Sequence, residues 1–257
     1  MIKFTYEYNI FEIIFSLIII LFFYNYFIKK QKEKFSLNND LIIFYINLNK
    51  RKDRKKKCIK ELNKASILKG YKRYSAIDGK KIKNSDLLKY TKNLTEFPDY
   101  KRGWIGCAQS HINLWELCIK YNKNMLIFED DVILKDQYNK NMLLSVKNLP
   151  TDFDIIYYQT VSYVKYEKYN KLYYKLKDKN FLLINYLISP VGAEKLIRYI
   201  KPYDPSNQID TYIVKLTKMG YLNAFLYKLP TVYTIQDFNE SNVQKSSNQY
   251  VVHDFHK

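Results

Sequence analysis

The sequence predicts an α/β fold with a largely parallel sheet, behind a single N-terminal transmembrane helix. Two observations carry this. Compact apolar runs rich in β-branched and aromatic residues alternate with amphipathic stretches of helical period, the pattern of a layered α/β domain. Ahead of them stands one apolar segment of membrane-spanning length.

That segment, Ile10 to Ile28, reads IFEIIFSLIIILFFYNYFI and is interrupted only by Glu12, Ser16 and Asn25. As a helix it extends about 28 Å, close to the roughly 30 Å hydrocarbon core. Tyr24, Tyr26 and Phe27 suit an interface, and Lys29, Lys30, Lys32 and Lys34 follow them. No small-residue cleavage site follows the run, which argues against a removed signal peptide. A buried or interfacial helix is the alternative, and Glu12 is the residue that favours it. Residues 1–30 are assigned to the membrane anchor, 31–40 to a polar linker and 41–257 to the folded domain. The Lys cluster puts that domain on the cytoplasmic side.

Leu41 to Leu48 (LIIFYINL) is the first buried strand. Asn49 to Leu68 is basic, with Cys58, Leu62 and Ala65 on one helical face. Tyr71 to Ile77 reads as a second strand, closed by the turn Asp78-Gly79. Gly106 precedes a helix from Cys107 to Tyr121, in which Ala108, Ile112, Trp115 and Ile119 recur at spacings of three and four. Asn122 to Asn124 ends it and Met125 to Phe128 begins the next strand. Asp154–Tyr158 and Phe181–Ile188 are further strands. Pro190 opens a helix continued by Val191 to Ile200. A helix over Ile209–Lys218 and strands at Leu222–Tyr227 and Val232–Ile235 complete the pattern.

Composition narrows function only partly. The net charge of +18 suits nucleic acid, an anionic membrane surface or a phosphorylated small molecule. Lys, Asn, Ile and Tyr all have A/T-rich codons, so a biased genome accounts for part of the basicity. The Lys runs flank the anchor and the first strand and form no aromatic-interleaved platform, so no nucleic-acid partner is expected despite 26 tyrosines. Cys58, Cys107 and Cys118 have neither even number nor paired spacing. They read as buried thiols in a reducing compartment.

The chemistry lies in Met125-Leu126-Ile127-Phe128-Glu129-Asp130-Asp131-Val132, a buried strand that ends in three carboxylates. In open α/β sheets, ligands bind beyond the carboxyl ends of strands. Clustered carboxylates repel, and a hard divalent cation, Mn²⁺ or Mg²⁺, relieves that cost while neutralising a diphosphate. Glu129 and Asp131 are two apart and should face the same side; Asp131 is the first candidate ligand. A solvated acidic turn or a cap is the bland alternative. Upstream, Gly106-Cys107-Ala108-Gln109-Ser110-His111 leads into the long helix. Gly106 would allow close backbone approach to a ligand, and helix N-terminal amides would cradle phosphate. Ser110 and His111 then fall in the first turns, where His111 is either a donor to a sugar or phosphate oxygen or a satisfied half-buried histidine.

These blocks resemble glycosyltransferase family 25. YINLNKRKDRKK from Tyr45 is similar to the family's Asn-Leu-x-x-Arg-x-x-Arg opening and is followed by Tyr74-Ser75-Ala76-Ile77-Asp78-Gly79. GCAQSHINLWE from Gly106, LIFEDDVIL from Leu126, and a fainter NYLISPVGAEKLI from Asn185 with Gln208-Ile209-Asp210 beyond it complete the set. The resemblance spans about 41–244 and implies a GT-A-like Rossmann-type domain (the glycosyltransferase domain, 41–257), a UDP-sugar donor, a divalent metal and transfer with inversion. It implies that Asn47, Arg51 and Arg54 serve the donor nucleotide, with Asp78 beside the ribose. Glu129, Asp130 and Asp131 would form the metal and diphosphate site. Asp210 would be the general base for an acceptor hydroxyl, on a glycan or a collagen-like hydroxylysine. Bottom-up, Arg51 and Arg54 serve equally well as solvated charges, and Asp210 as a helix-capping carboxylate.

Two departures from the family pattern stand out. Tyr157-Tyr158 replaces the usual Leu-Gly pair, which questions the acceptor pocket. Ser241-Asn242-Val243 replaces Ser-Asp-Ile, which questions donor or metal binding. A degenerate, membrane-bound glycan- or UDP-binding protein is therefore the alternative to an active enzyme. Many anchored glycosyltransferases face a lumen, and Asn93-Leu94-Thr95 and Asn239-Glu240-Ser241 are acceptor triplets for glycosylation, so the lumenal orientation stays open.

Overall fold

The computed structural model describes residues 41–91, 99–159, 164–178, 180–229 and 231–234, together with Phe15, Ile19 and Leu21. The chain divides into two units, Met1–Leu37 and Asn38–Lys257. In the first, Phe15, Ile19 and Leu21 are helical and exposed. The rest of the expected anchor lies outside the described residues, as do the linker, both acceptor triplets and Ser241-Asn242-Val243. Among the described residues, no helix is long and apolar enough to cross a membrane.

The second unit runs β1 (Leu41–Asn47), α1 (Lys52–Leu62), β2 (Lys72–Ser75), α2 (Asp99–Tyr121), β3 (Asn124–Glu129), β4 (Val132–Leu134) and α3 (Tyr138–Lys147). It continues with β5 (Ile155–Tyr157), β6 (Tyr166–Lys168), β7 (Tyr173–Leu176), β8 (Asn185–Ile188), α4 (Pro190–Ile200), α5 (Ile209–Lys218), β9 (Ala224–Tyr227) and β10 (Val232–Thr234). Eight strands form one sheet in the order β2-β1-β3-β8-β5-β9-β7-β6, and β10 pairs with β4.

The expectation of a largely parallel sheet is corrected. β1 pairs in parallel with β2 and β3, and β5 with β9, but β8 runs antiparallel to both β3 and β5, and β7 is antiparallel to β6 and β9. A strand buried on both faces is continuously apolar in either direction, so its composition carries no sign of polarity. The strand expected over 181–188 is also shortened, because Leu182 has φ 79° and breaks the extended backbone before Asn185.

Alternation along the strands explains the layers. Phe44, Ile46, Met125, Ile127, Ile155, Tyr157, Tyr186 and Ile188 join Ile112, Trp115 and Cys118 of α2, Leu196 and Ile200 of α4, and Ile213 and Leu216 of α5 in one core. On the opposite face, Phe128 meets Tyr138 of α3, and the Tyr227 hydroxyl donates to the Asn141 carbonyl. Ser189 caps α4, its hydroxyl accepting from the Gly192 amide, and Pro190 occupies the first turn where its missing N–H costs nothing. Tyr157 and Tyr158 are fully buried, with the Tyr158 hydroxyl bonded to Ser145. Neither lines the cleft described below, so the departure at this pair does not alter its wall.

Candidate functional site

Because β1, β2 and β3 are parallel, Asn47, the segment after Ser75, and Glu129 all arrive at one edge of the sheet. The antiparallel β8 begins at that edge, so Leu182–Ile184 faces them, and the first turn of α5 closes the side. The result is a cleft of about 230 Å³. Nine of the eleven residues singled out from sequence line it: Asn47, Arg54, Asp78, Ser110, His111, Glu129, Asp130, Asp131 and Asp210. Arg51 and Gly106 do not.

The three carboxylates have separate environments. Asp130 accepts from Asn47 Nδ2 at 2.6 Å and from Arg54 Nη1 at 3.1 Å, so it is already neutralised from α1. Burial still pushes its carboxyl above the usual range, against those two partners. Asp131 lies 3.7 Å from Arg54. Burial first, and the charge of Glu129 second, push its carboxyl up to about 7, with Arg54 opposing. Two carboxylates that raise each other's cost of ionisation are relieved by a cation.

Asn47 is 1% exposed and nearly saturated. Its Nδ2 also donates to the Arg51 carbonyl at 3.1 Å, and its Oδ1 accepts from Arg73 Nε at 3.1 Å. It acts as a node joining the end of β1, the start of α1 and the acidic turn. Arg73, unremarked in the sequence, holds that node from β2. Arg51 is turned the other way, its guanidinium bound to Asp53 at 2.7 Å.

The reading of Gly106 at a helix N-terminus is corrected: α2 begins at Asp99, so Gly106, Ser110 and His111 sit inside the helix and its terminal amides do not reach the cleft. A glycine inside a helix costs about 1 kcal/mol, which made it look like a boundary. Packing offsets the cost. A Cβ on Gly106 would lie 2.5 Å from Gly79 N and Ile77 O, and one on Gly79 would lie 1.7 Å from Arg102 O. The two glycines let the loop carrying Asp78 rest directly on α2. Ser110 secures it, its Oγ accepting from Ile77 N at 2.9 Å and donating to Gly106 O at 2.7 Å.

His111 is 1% exposed and stands behind Glu129. Trp115 Nε1 donates to the Tyr186 hydroxyl at 3.0 Å, so that hydroxyl donates onward to His111 Nδ1 at 2.8 Å. Nε2–H is then left facing Glu129 Oε1 at 3.3 Å. This chain orients Glu129. The Cys107 sulfur, one turn before His111, lies with a His111 ring nitrogen and a Glu129 oxygen within 4.8 Å of one another. Burial, and next the charge of Glu129, push the Cys107 thiol well up.

On the remaining walls, Asp78 accepts from Lys50 Nζ at 2.7 Å. Asp210, in the first turn of α5, accepts from Thr211 N at 2.8 Å and from Leu182 N at 3.5 Å. Burial raises its carboxyl, those amides oppose the shift, and Glu129 adds to it. Asp210 thus holds two backbone amides and also lines the cleft. The left-handed backbone of Leu182, which costs a residue with a side chain on the order of 1 kcal/mol, aims its amide at that carboxylate. Lys50, Lys80, Trp104, Leu182 and Gln208 also line the cleft and were not singled out from sequence. Lys50, inside the basic opening motif, and Gln208, beside Asp210 in the last block, carried a local signal.

The family model described as "Glycosyltransferase family 25 (LPS biosynthesis protein)" matches residues 40–213. Human procollagen galactosyltransferase 2 is 29% identical over 188 residues, covering 66% of this chain and 29% of its own length. The lipooligosaccharide biosynthesis protein lex-1 of Haemophilus influenzae is 32% identical over 170 residues, covering 60% of this chain and 55% of its own. The chain thus spans little more than half of one relative and under a third of the other. The crystal structure of a glycosyltransferase involved in the glycosylation of the major capsid of PBCV-1 aligns at TM-score 0.35 and 10% identity, over 69% of this chain and 66% of that one, a likeness too loose to bear on function.

Proposed function

Since the chain belongs to glycosyltransferase family 25, we propose that its cleft transfers a hexose, galactose or glucose, from a UDP-sugar to an acceptor hydroxyl with inversion, on a framework read as GT-A-like. The observation that carries this reading is the convergence of Glu129, Asp131 and Arg54 at the carboxyl edge of three parallel strands. A procollagen galactosyltransferase and a lipooligosaccharide biosynthesis protein among the relatives support two acceptor classes, collagen-like hydroxylysine and glycan.

The donor set fits a hard divalent cation, Mn²⁺ or Mg²⁺. Glu129 is oriented by His111, and Asp131 holds a carboxylate that burial and Glu129 make costly to ionise unaided. Asp130, engaged by Asn47 and Arg54, serves the turn's geometry instead. Glu129 and Asp131 would hold the ion, whose chemistry is neutralisation of the departing diphosphate. Arg54 adds a fixed positive charge beside the same oxygens. Asp78, held by Lys50 and by the glycine contact with α2, faces the ribose. Asp210 takes the acceptor proton as the hydroxyl attacks the anomeric carbon on the side opposite UDP. We further propose that residues 10–28 anchor the chain in a membrane with the domain on the cytoplasmic side.

UDP release is the decisive assay. With Mn²⁺ and a panel of UDP-sugars, one donor should give acceptor-dependent release that chelation abolishes. Metal-dependent UDP binding without turnover for any donor and acceptor would support the degenerate alternative instead.

A further inference from the structure

We propose that Cys107, His111 and Glu129 form a second, softer metal site that takes Zn²⁺ in preference to Mn²⁺ and withdraws Glu129 from the diphosphate site. The inference rests on the reading above only in that Glu129 is shared. Cys107 and His111 are four apart on α2, so their side chains share one face, and Glu129 meets them from the end of β3. The three ligand atoms lie within 4.8 Å of one another. The 3.3 Å between His111 Nε2 and Glu129 Oε1 is close to the roughly 3.4 Å expected between nitrogen and oxygen ligands of a tetrahedral zinc. A rotamer adjustment at Cys107 brings in the sulfur.

Metal binding would exchange the ring's tautomer while keeping its anchor on Tyr186. With Nε2 on a metal, Nδ1 carries the proton and donates to the Tyr186 hydroxyl, 2.8 Å away and itself fixed by Trp115. Thiolate and imidazole favour Zn²⁺ and Co²⁺, whereas the hard carboxylate pair of Glu129 and Asp131 suits Mn²⁺ and Mg²⁺. On binding, the Cys107 S–H bond breaks, the proton goes to solvent and the sulfur bonds to the metal. All three residues line the cleft, which leaves the fourth coordination position open on that side. Because Glu129 serves one metal at a time, Zn²⁺ and Mn²⁺ compete.

The test uses the full chain and metal ions alone. Titration with Co²⁺ should give a near-ultraviolet thiolate-to-cobalt charge-transfer band that saturates at one equivalent and is displaced by Zn²⁺. The band should persist in Cys58→Ser and Cys118→Ser and vanish in Cys107→Ser. That variant should lose at least about tenfold in Zn²⁺ affinity while Mn²⁺ affinity changes by less than about threefold, since removing a ligand costs no less than removing its supporting partner. Zinc-edge X-ray absorption on the unaltered protein needs no variant and should show one sulfur at about 2.3 Å. A zinc shell without sulfur, or a cobalt band retained in Cys107→Ser, overturns the proposal. Failure of Mn²⁺-dependent UDP binding with the cobalt band intact would count against the transferase reading and not against this site.

Discussion

Replacing Asp131 by Asn tests whether the acidic turn is a metal site or a structural cap. In the folded, metal-free protein the Asp131 carboxyl titrates at about 7 instead of 3.8, chiefly through burial and secondly through Glu129. A raised carboxyl pKa means the fold penalises the charged form. The penalty is absent below about pH 4, grows as pH rises towards 7 and is fully present above it. Each pH unit of that gap is worth about 1.4 kcal/mol, which sets a ceiling near 4 kcal/mol. The side chain is 26% exposed, and screening by that solvent lowers the expected figure to about 2–3 kcal/mol. Asp131→Asn should therefore be more stable than the parent at pH 8 by this amount, about 5–10 °C in Tm, with the gap closing by pH 4. Mn²⁺ at a hundred times its Kd should raise the parent by about 2.7 kcal/mol and the variant by much less. Transfer should fall by about 10²–10³. The assay is thermal unfolding at the two pH values, with and without Mn²⁺, beside UDP release. A variant less stable than the parent at pH 8, with activity falling only in proportion to folded protein, would refute the metal-site argument.

Four further outcomes are expected. Arg54→Ala should weaken UDP-sugar binding by about tenfold or more, whereas Arg51→Ala, whose guanidinium is turned to Asp53, should change it little; calorimetric titration separates them, and equal losses would leave only general electrostatics. Gly79→Ala should cost about 2–3 kcal/mol in urea unfolding, because its Cβ would sit 1.7 Å from the Arg102 carbonyl. Asp210→Asn should lower kcat by about 10²–10⁴ with little change in stability. In the parent the rate should climb with pH through the raised Asp210 pKa, as the base must be ionised to accept a proton; a flat profile over that range would exclude it. Full-length protein should resist carbonate extraction from membranes and a chain lacking residues 1–34 should not, and equal release would remove the anchor.

Much of the site is legible in the sequence. Glu129, Asp130 and Asp131 announce themselves because an apolar run that ends abruptly in three acids has few structural uses. The helices over Lys52–Leu62, Pro190–Ile200 and Ile209–Lys218 follow from period and from Pro190. Gly106 misled because a helix boundary and a close backbone contact call for the same residue, and only the position of Gly79, 27 residues earlier in the chain, distinguishes them.

The sequence by itself determined most of the strands and helices that frame the cleft, which carboxylates end a strand, and which family the motifs resemble, because those properties depend on residues within a few positions of one another. Only the tertiary structure decided strand direction, since apolar content is blind to polarity. It alone separated Arg54 from Arg51, gave Asp130 to Asn47, and put His111 behind Glu129 with Tyr186 and Trp115 in line. Each of these is a contact between residues distant in the chain, set by which strands are neighbours, and no local pattern encodes it.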